Sequence, residues 1–512
     1  MSTPSIRKLA SLAVAAALLL AGCQSAVQQQ QQQATAAATA PTKGGVAVLA
    51  QNADPQLTAI LAQRAGNGNW VMNVYEPLLR YDKDGKAQPV LAKAWKWSPD
   101  MMTLDIDLLE GVTYHSGRAF TADDVVFTLG EVAKPANNSQ LRFMAENISS
   151  ATASSPTKVQ IKLKAPMGNF LDLLDFTPMV DKETWATIKD GQKVIGTGPF
   201  QWDKWTPGAE ITLKRYEAYR DPAHLDGISL PIITDATAQM NAIRGGRVMF
   251  SSVLTPSDAS TFKTDPKFVL VETGGSSVPL GVNVTMAPFD KKEVRQALGY
   301  AIDRERIANQ VFAGAVRKTQ LYWGTTDQFD KSLDNKYNYD PAKARQMIEK
   351  AGAAGASIEI SIPNYAAQQS TYEIVRNNLE AVGFKVSSKI YNSTDYNAKL
   401  AEGNLGQAFI TTHGSGFSAR VRLNALPTLR EKTNISKVTD PKYTTLRQNL
   451  FSAKSDEEGK LALDELTKYM TDEAFSLVLM DQNNVNVFAA NFKGTTFSVT
   501  NQVICDKAYV VK

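Results

Sequence analysis

Apolar and polar residues alternate with period two at several places along this chain. Leu104, Ile106 and Leu108 share one side of residues 101–109, and Val159, Ile161 and Leu163 alternate with Lys158, Lys162 and Lys164. Ile211 and Leu213 oppose Thr212 and Lys214, and Ile358, Ile360 and Ile362 repeat the pattern. Each predicts a half-buried strand. Residues 45–50 (GVAVLA) and 474–480 read as further strands, with 281–285 crossing between two halves of the molecule and 482–488 returning. Helical stripes lie between them. Thr121 and Asp124 form a capping box ahead of Val125, Val126, Leu129 and Ala133. Residues 70–79 predict a buried helix ending near Pro77, and 461–472 a helix near the C-terminus. Residues 293–300 and 301–312 predict two helices, the second closed by Gly314. Asp340 and Pro341 supply the N-cap and first position of another, which Gly352 stops. A helix striped by Ile374, Val375 and Leu379 joins the 358–362 strand to one marked by Phe384, Val386 and Ile390. Two strands joined through a helix run parallel, which places this half in the α/β class.

The N-terminus has a different character. Residues 1–22 have the parts of a signal peptide: Arg7 and Lys8, an apolar run over 9–20, then small residues. The run is too short for a spanning helix, which needs about 20 residues. The ending Leu20-Ala21-Gly22-Cys23 resembles a bacterial lipobox, which implies acylation of Cys23 and a lipid anchor in the membrane. The alternative is cleavage near 38–40 and a freely secreted protein. Residues 23–43, rich in Gln, Ala and Thr, read as a flexible tether, because they bury too little surface to offset ordering entropy.

The 512 residues are enough for about three domains. A net charge of +4 without any long Lys/Arg run gives no reason to invoke nucleic acid. Beyond Cys23 the only thiol is Cys505, so no internal disulfide forms in the folded part. Histidines 115, 224 and 413 are far apart, and the H-E-x-x-H, G-x-S-x-G and G-x-x-x-x-G-K-[ST] patterns are absent. The sequence therefore nominates no catalytic centre, no metal site and no cofactor. His115 has no second ligand at metal spacing and reads as structural.

Three stretches carry a resemblance. They are GTGPFQWDKWTPGAEITLKRYEAYRDP at 196–222, the block from Leu91 to Leu129 with GVTYHSGRAFTADDVVF, and VRQALGYAIDRERIANQVFAG at 294–314. They resemble the extracellular solute-binding proteins of family 5, the dipeptide/oligopeptide/nickel group that feeds ABC importers. The resemblance implies an α/β, two-lobed periplasmic-binding-protein fold (type II, large cluster C-like) with a hinge. Lobe 1 is expected from 44–281 and 487–512, with an inserted subdomain at about 80–190, and lobe 2 from 282–486. It also implies a non-enzymatic monomer in the periplasm or cell envelope, closing over a small-molecule ligand and delivering it to an ABC permease.

One departure from the family bears on the ligand. Peptide-binding members have a second-lobe segment resembling W-x-x-D-Y-x-D-P, whose Asp pairs with the peptide ammonium. The corresponding residues 410–423, ITTHGSGFSARVRL, have neither the Trp nor the Asp, and no acidic residue occurs between Glu402 and Glu431. Arg420, Arg422 and Arg430 do occur there. A buried ammonium without a carboxylate is costly, whereas a guanidinium fork suits a carboxylate. The expected ligand is thus a small carboxylated solute, an amino-acid derivative or opine-like sugar–amino acid conjugate. Arg420 or Arg422 is its expected anchor, with His413, Gly414 and Ser415 close by. Asn52, Asn69 and Trp70 are the first-lobe candidates, and Trp323 and Tyr365 the stacking candidates. The alternatives are a di- or oligopeptide ligand, a module presenting its ligand to a chemoreceptor, and a secreted hydrolase with a scattered triad.

Overall fold

The structure is a computed structural model that describes residues 41–62, 67–82, 85–190, 193–252, 254–317, 319–323, 329–414, 418–498 and 500–511. The signal peptide, Cys23 and nearly all of the tether lie outside the described residues, as does Ser415.

The first lobe is built on two antiparallel-rich sheets. In one, Val46–Val48 runs parallel to Gly227–Pro231, which continues into Glu210–Arg215 and Phe200–Thr206. The stretch opening with Phe200 is therefore a hairpin, tightened by Gly208 at φ +69°. The other sheet orders Ala92–Trp97, Thr103–Leu108, Lys158–Leu163 and Ile148–Ser155, all within the expected insertion. The helix Ala122–Ala133 packs against it, and its capping box is present: the Asp124 carboxylate accepts from the Thr121 N–H at 2.9 Å. Both sheets contribute to one apolar cluster, so the insertion shares the core of lobe 1.

Two of the resembling stretches meet in this core. Helix Gly68–Val74 ends against the turn at Gly196–Gly198, where the Gly198 N–H donates to the Val74 carbonyl at 2.9 Å. A Cβ at Gly196 would lie 2.0 Å from that oxygen, and one at Gly198 2.6 Å from the Asn73 carbonyl. Only glycine permits this approach. His115 holds the same turn from the other side. Its N–H donates to the Gly196 carbonyl at 2.9 Å, its Nδ1 accepts from the Gly196 N–H at 3.3 Å, and its Nε2 lies 2.9 Å from the Gly198 carbonyl. Burial pushes its pKa down to about 4, so it is a neutral structural group.

The second lobe contains the expected β-α-β unit. Ser357–Pro363 and Lys385–Tyr391 pair in parallel across helix Ala366–Ala381. Helices Lys292–Ala301, Arg304–Phe312 and Pro341–Lys350 pack beside them, the last two capped by Asp303 and Asp340. A separate apolar cluster fills this lobe.

Two long antiparallel strands, Phe268–Val282 and Ser476–Ala489, join the lobes. Leu270 and Val487 pack in a cluster of lobe 1, whereas Val278, Leu280, Leu477 and Leu479 pack in lobe 2. The pairing register shifts between Thr273 and Ser276. The change of lobe thus falls at 274–277, several residues ahead of the expected 281/282 boundary. A Cβ at Gly275 would lie 2.1 Å from the Gln482 carbonyl, so glycine is what lets the strands stay in contact there. The chain also closes on itself in lobe 1: the Asn73 side chain donates to the Val503 carbonyl at 2.8 Å and accepts from the Cys505 N–H at 2.8 Å. Cys505 is free and fully buried.

Gly196→Ala forces a methyl into the end of the 68–74 helix and should lower stability by about 3 kcal/mol or more. The shift of the urea midpoint measures it; an unchanged midpoint would show that the turn relaxes freely.

Candidate ligand site between the lobes

The crossing strands organise the candidate site. Ser277 on Phe268–Val282 faces Asp481 on one side and His413, of the short strand His413–Gly414, on the other. Arg317 faces Asp481 from the far side, and its Nε donates to Asp481 Oδ2 at 2.9 Å. Directly opposed residues point to the same face, so Arg317, Asp481, Ser277 and His413 form a polar row across the sheet where the lobes meet. Ser277, Asp481 and His413 are buried. His413 Nε2 lies 3.0 Å from the Thr428 hydroxyl. Burial and then the charges of Arg422 and Arg430 hold its pKa down to about 3. Gly414, next in the chain and opposite Ser276, is exposed.

The sequence candidates separate into groups. His413 and Gly414 stand at the crossing, and the fully buried Arg422 lies near enough for its charge to reach His413 and Tyr322. Trp323 is a wall of lobe 2: it is buried, and its Nε1 donates to the Thr467 hydroxyl at 2.7 Å. Tyr365 is half-exposed at the start of helix Ala366–Ala381. Asn52 is partly buried beside the bridge between Gln51 and Ile232. Asn69 and Trp70 belong to the architecture of lobe 1 and are not offered to a ligand. The Asn69 side chain donates to the Ala50 carbonyl at 3.3 Å and accepts from the Val503 N–H at 3.4 Å. Trp70 is fully buried, edge-on to Trp202 at 5.0 Å. A place at the end of an early element marks core positions as well as ligand contacts.

Arg420 takes part in closing the lobes. Its Nε donates to the Leu450 carbonyl at 3.0 Å, and its guanidinium lies beside Gly168 of lobe 1 and Gly459 of lobe 2. The neighbouring Ser418 hydroxyl donates across the lobes to Asp172 Oδ2 at 2.5 Å, and Val421 joins the lobe-1 apolar cluster. Asp172 also accepts from Tyr81 and Asn169, each at 3.0 Å, and feels the charge of Arg420. One helical turn on, burial pushes Asp175 up to about 7. These two carboxylates carried no sequence signal beyond the ordinary LDLLDF stripe, whose Asp residues gain meaning only from the opposing lobe.

Residues 86–434 match the model of the bacterial extracellular solute-binding proteins, family 5 Middle. This chain is a member of that family. Among curated relatives, the glutathione-binding protein GsiB of Escherichia coli K12 is 28% identical over 320 residues, 61% of this chain. The match spans 62% of that relative's length. Solved structures share the two-lobed fold. The binding protein DppA of Helicobacter pylori with the peptide STSA superposes with a TM-score of 0.74 at 20% identity, over 92% of this chain and 99% of that one. The binding protein AgaA of A. tumefaciens R10 with agropinic acid gives 0.72 at 21%, over 91% and 99%. The family is one of binding proteins. In this member the crossing row and the Asp172–Ser418 contact are the chemistry placed between the lobes.

Two outcomes follow from that contact in this family 5 protein. Ser418→Ala removes the hydrogen bond across the lobes to Asp172, whose pKa burial pushes up, so affinity for the native solute should fall by up to about tenfold; titration calorimetry measures it. Asp175 loses its proton near 3.8 when unfolded but at about 7 when folded. Between those values the fold holds the extra proton, so the contribution to stability is full below 3.8 and is lost as pH rises through 7. Asp175→Asn should therefore gain stability relative to wild type as pH rises, levelling above 7 at about 4 kcal/mol. Parallel stability curves for the two proteins would contradict it.

Proposed function

We propose that this protein is the substrate-binding component of an ABC importer, and that it captures a small carboxylated solute other than an ordinary peptide. The candidate classes are amino-acid derivatives and opine-like sugar–amino acid conjugates. The observation that carries the ligand class is the positive field at the crossing: Arg422 and Arg430 together bear on His413, and no acidic residue lies between Glu402 and Glu431. An α-ammonium brought to that segment finds no carboxylate of its own, and Asp481 across the row is already paired with Arg317, whereas a carboxylate finds the guanidinium of Arg422. Arg422 is the proposed anchor, with the exposed backbone of Gly414 beside it. Ser415, outside the described residues, is a proposed contact from its place in the sequence alone, and Tyr365 and Asn52 are proposed flanking contacts.

The work is differential affinity. A ligand touching both lobes favours the closed arrangement, in which Ser418 meets Asp172, and the permease reads that state. Acylation of Cys23 would keep the monomer at the membrane of the cell envelope, with the tether giving reach; two or more acyl chains are needed for lasting attachment. The bound agropinic acid of AgaA favours this ligand class. The peptide bound to DppA and the glutathione named for GsiB favour the peptide alternative. Presentation of the ligand to a chemoreceptor would use the same closure.

Mass spectrometry of what co-purifies with the protein, released by denaturation, tests the ligand class. A single carboxylated non-peptide solute is expected, and mixed short peptides would replace this reading with the peptide one. Arg422→Ala should then weaken binding of that solute by at least about 30-fold, the usual cost of removing one partner of a buried charged pair. A variant that still melts cooperatively and binds unchanged would remove Arg422 from the site.

A further inference from the structure

The sequence nominates Arg420 beside Arg422 as an anchor for the solute, but its surroundings are those of a fastening between the lobes. Arg420 stands in the first turn of helix Ala419–Ala425, and its Nε donates to the Leu450 carbonyl at 3.0 Å, which fixes the root of the guanidinium on lobe 2. The outer end projects between two glycines. On the lobe-2 side is Gly459, near the start of helix Asp456–Glu473, where an added Cβ would lie 2.8 Å from Nη2. On the lobe-1 side is Gly168, where an added Cβ would lie 3.2 Å from Nη2, 3.3 Å from Cζ and 3.2 Å from the Ala453 carbonyl.

Neither glycine has a left-handed φ, so neither is required by its own backbone. Gly459 even sits inside a helix, where glycine is a poor choice. What the two share is the guanidinium that fills the space their missing side chains leave. The place also suits a cation: the charge of Arg420 reaches Asp172 and Tyr81 of lobe 1, and Asp172 accepts from Ser418, the residue just ahead of the same helix. A side chain at Gly168 would compete with the guanidinium only while the lobes are shut. Gly168 therefore bears on the closed arrangement and not on the fold of either lobe.

We propose that Arg420 is the latch of the closed form and not a ligand anchor: seated between Gly168 and Gly459, it fixes how far the lobes shut, and so sets affinity and release without touching the solute. Arg420 is then a positioning residue, and Gly168 is the lobe-1 residue that admits it. Because ligand binding is coupled to closure, a change in the latch shifts affinity by the amount it shifts the open–closed balance. The latch rests on closure as the working step of the function proposed above, whatever the class of solute.

Small-angle X-ray scattering of the full chain, as purified, reads closure directly. Wild type should fit the arrangement with the lobes in contact. Gly168→Leu wedges the slot and should lower the closed-to-open ratio at least about fivefold, seen as a larger radius of gyration, with Gly168→Ala a smaller step the same way. Once bound solute is removed by unfolding and refolding, Gly168→Leu should melt at the wild-type Tm, which a merely structural role would not allow. Gly459→Ala separates the two properties: the better helix former should raise the Tm of the solute-free protein, while the displaced guanidinium should enlarge the radius of the protein as purified. A wild type that scatters as open, or a Gly168→Leu variant as compact as wild type, would overturn the latch. Opening by Arg420→Ala with Gly168→Leu still shut would return Arg420 to the solute as its anchor. Failure of the carboxylated-solute reading shows in the mass spectrum of the bound compound and leaves these radii untouched.

Discussion

Everything between the two lobes depends on one crossing of two strands. Phe268–Val282 and Ser476–Ala489 remain paired as they leave one core and enter the other, and they do so through a register shift at a glycine. Paired strands resist sliding along each other but bend where pairing is interrupted. The interruption lies at 274–275, between the two cores, so a bend there would unpick neither of them. The row of Arg317, Asp481, Ser277 and His413, buried except for Arg317, lies directly beside that place.

Closure then rests on few groups. Ser418, Arg420 and Val421 reach from lobe 2 onto the Asn169–Asp175 region of lobe 1. The contact mixes one hydrogen bond to a carboxylate and a nearby guanidinium with the apolar packing of Val421 and Ala425 on the lobe-1 core.

Much of the fold was legible because its elements announce themselves locally. Capping residues such as Thr121 and Asp340, and the isoleucine alternation at 358–362, specify elements with their neighbours alone, whereas the break at Asp303, which caps Arg304–Phe312, lies inside the helix expected over 301–312. The crossing strand was legible only at its end, near 281, since its Gly274-Gly275 pair and mixed composition break the period-two pattern. The site was less legible still. His413, Gly414 and Arg422 came from one segment and fall together. Asn69 and Trp70 came from position, and their partners Val503 and Trp202 are distant in sequence. Asp172 and Asp175 were indistinguishable from a solvated stripe until a serine from the other lobe stood opposite.

The docking of residues 503–505 onto Asn73 has a consequence for how the molecule is made. A ribosome produces the chain from its N-terminus, and the hydrogen bond from Asn73 to Val503 spans 430 residues. Lobe 2, contiguous between the two crossings, has all its material before the last strand of lobe 1 exists. Lobe 1 waits with an open seam along helix Gly68–Val74 until the final residues emerge. The nascent protein is thus half-finished in a defined way, its N-terminal lobe the last to be completed.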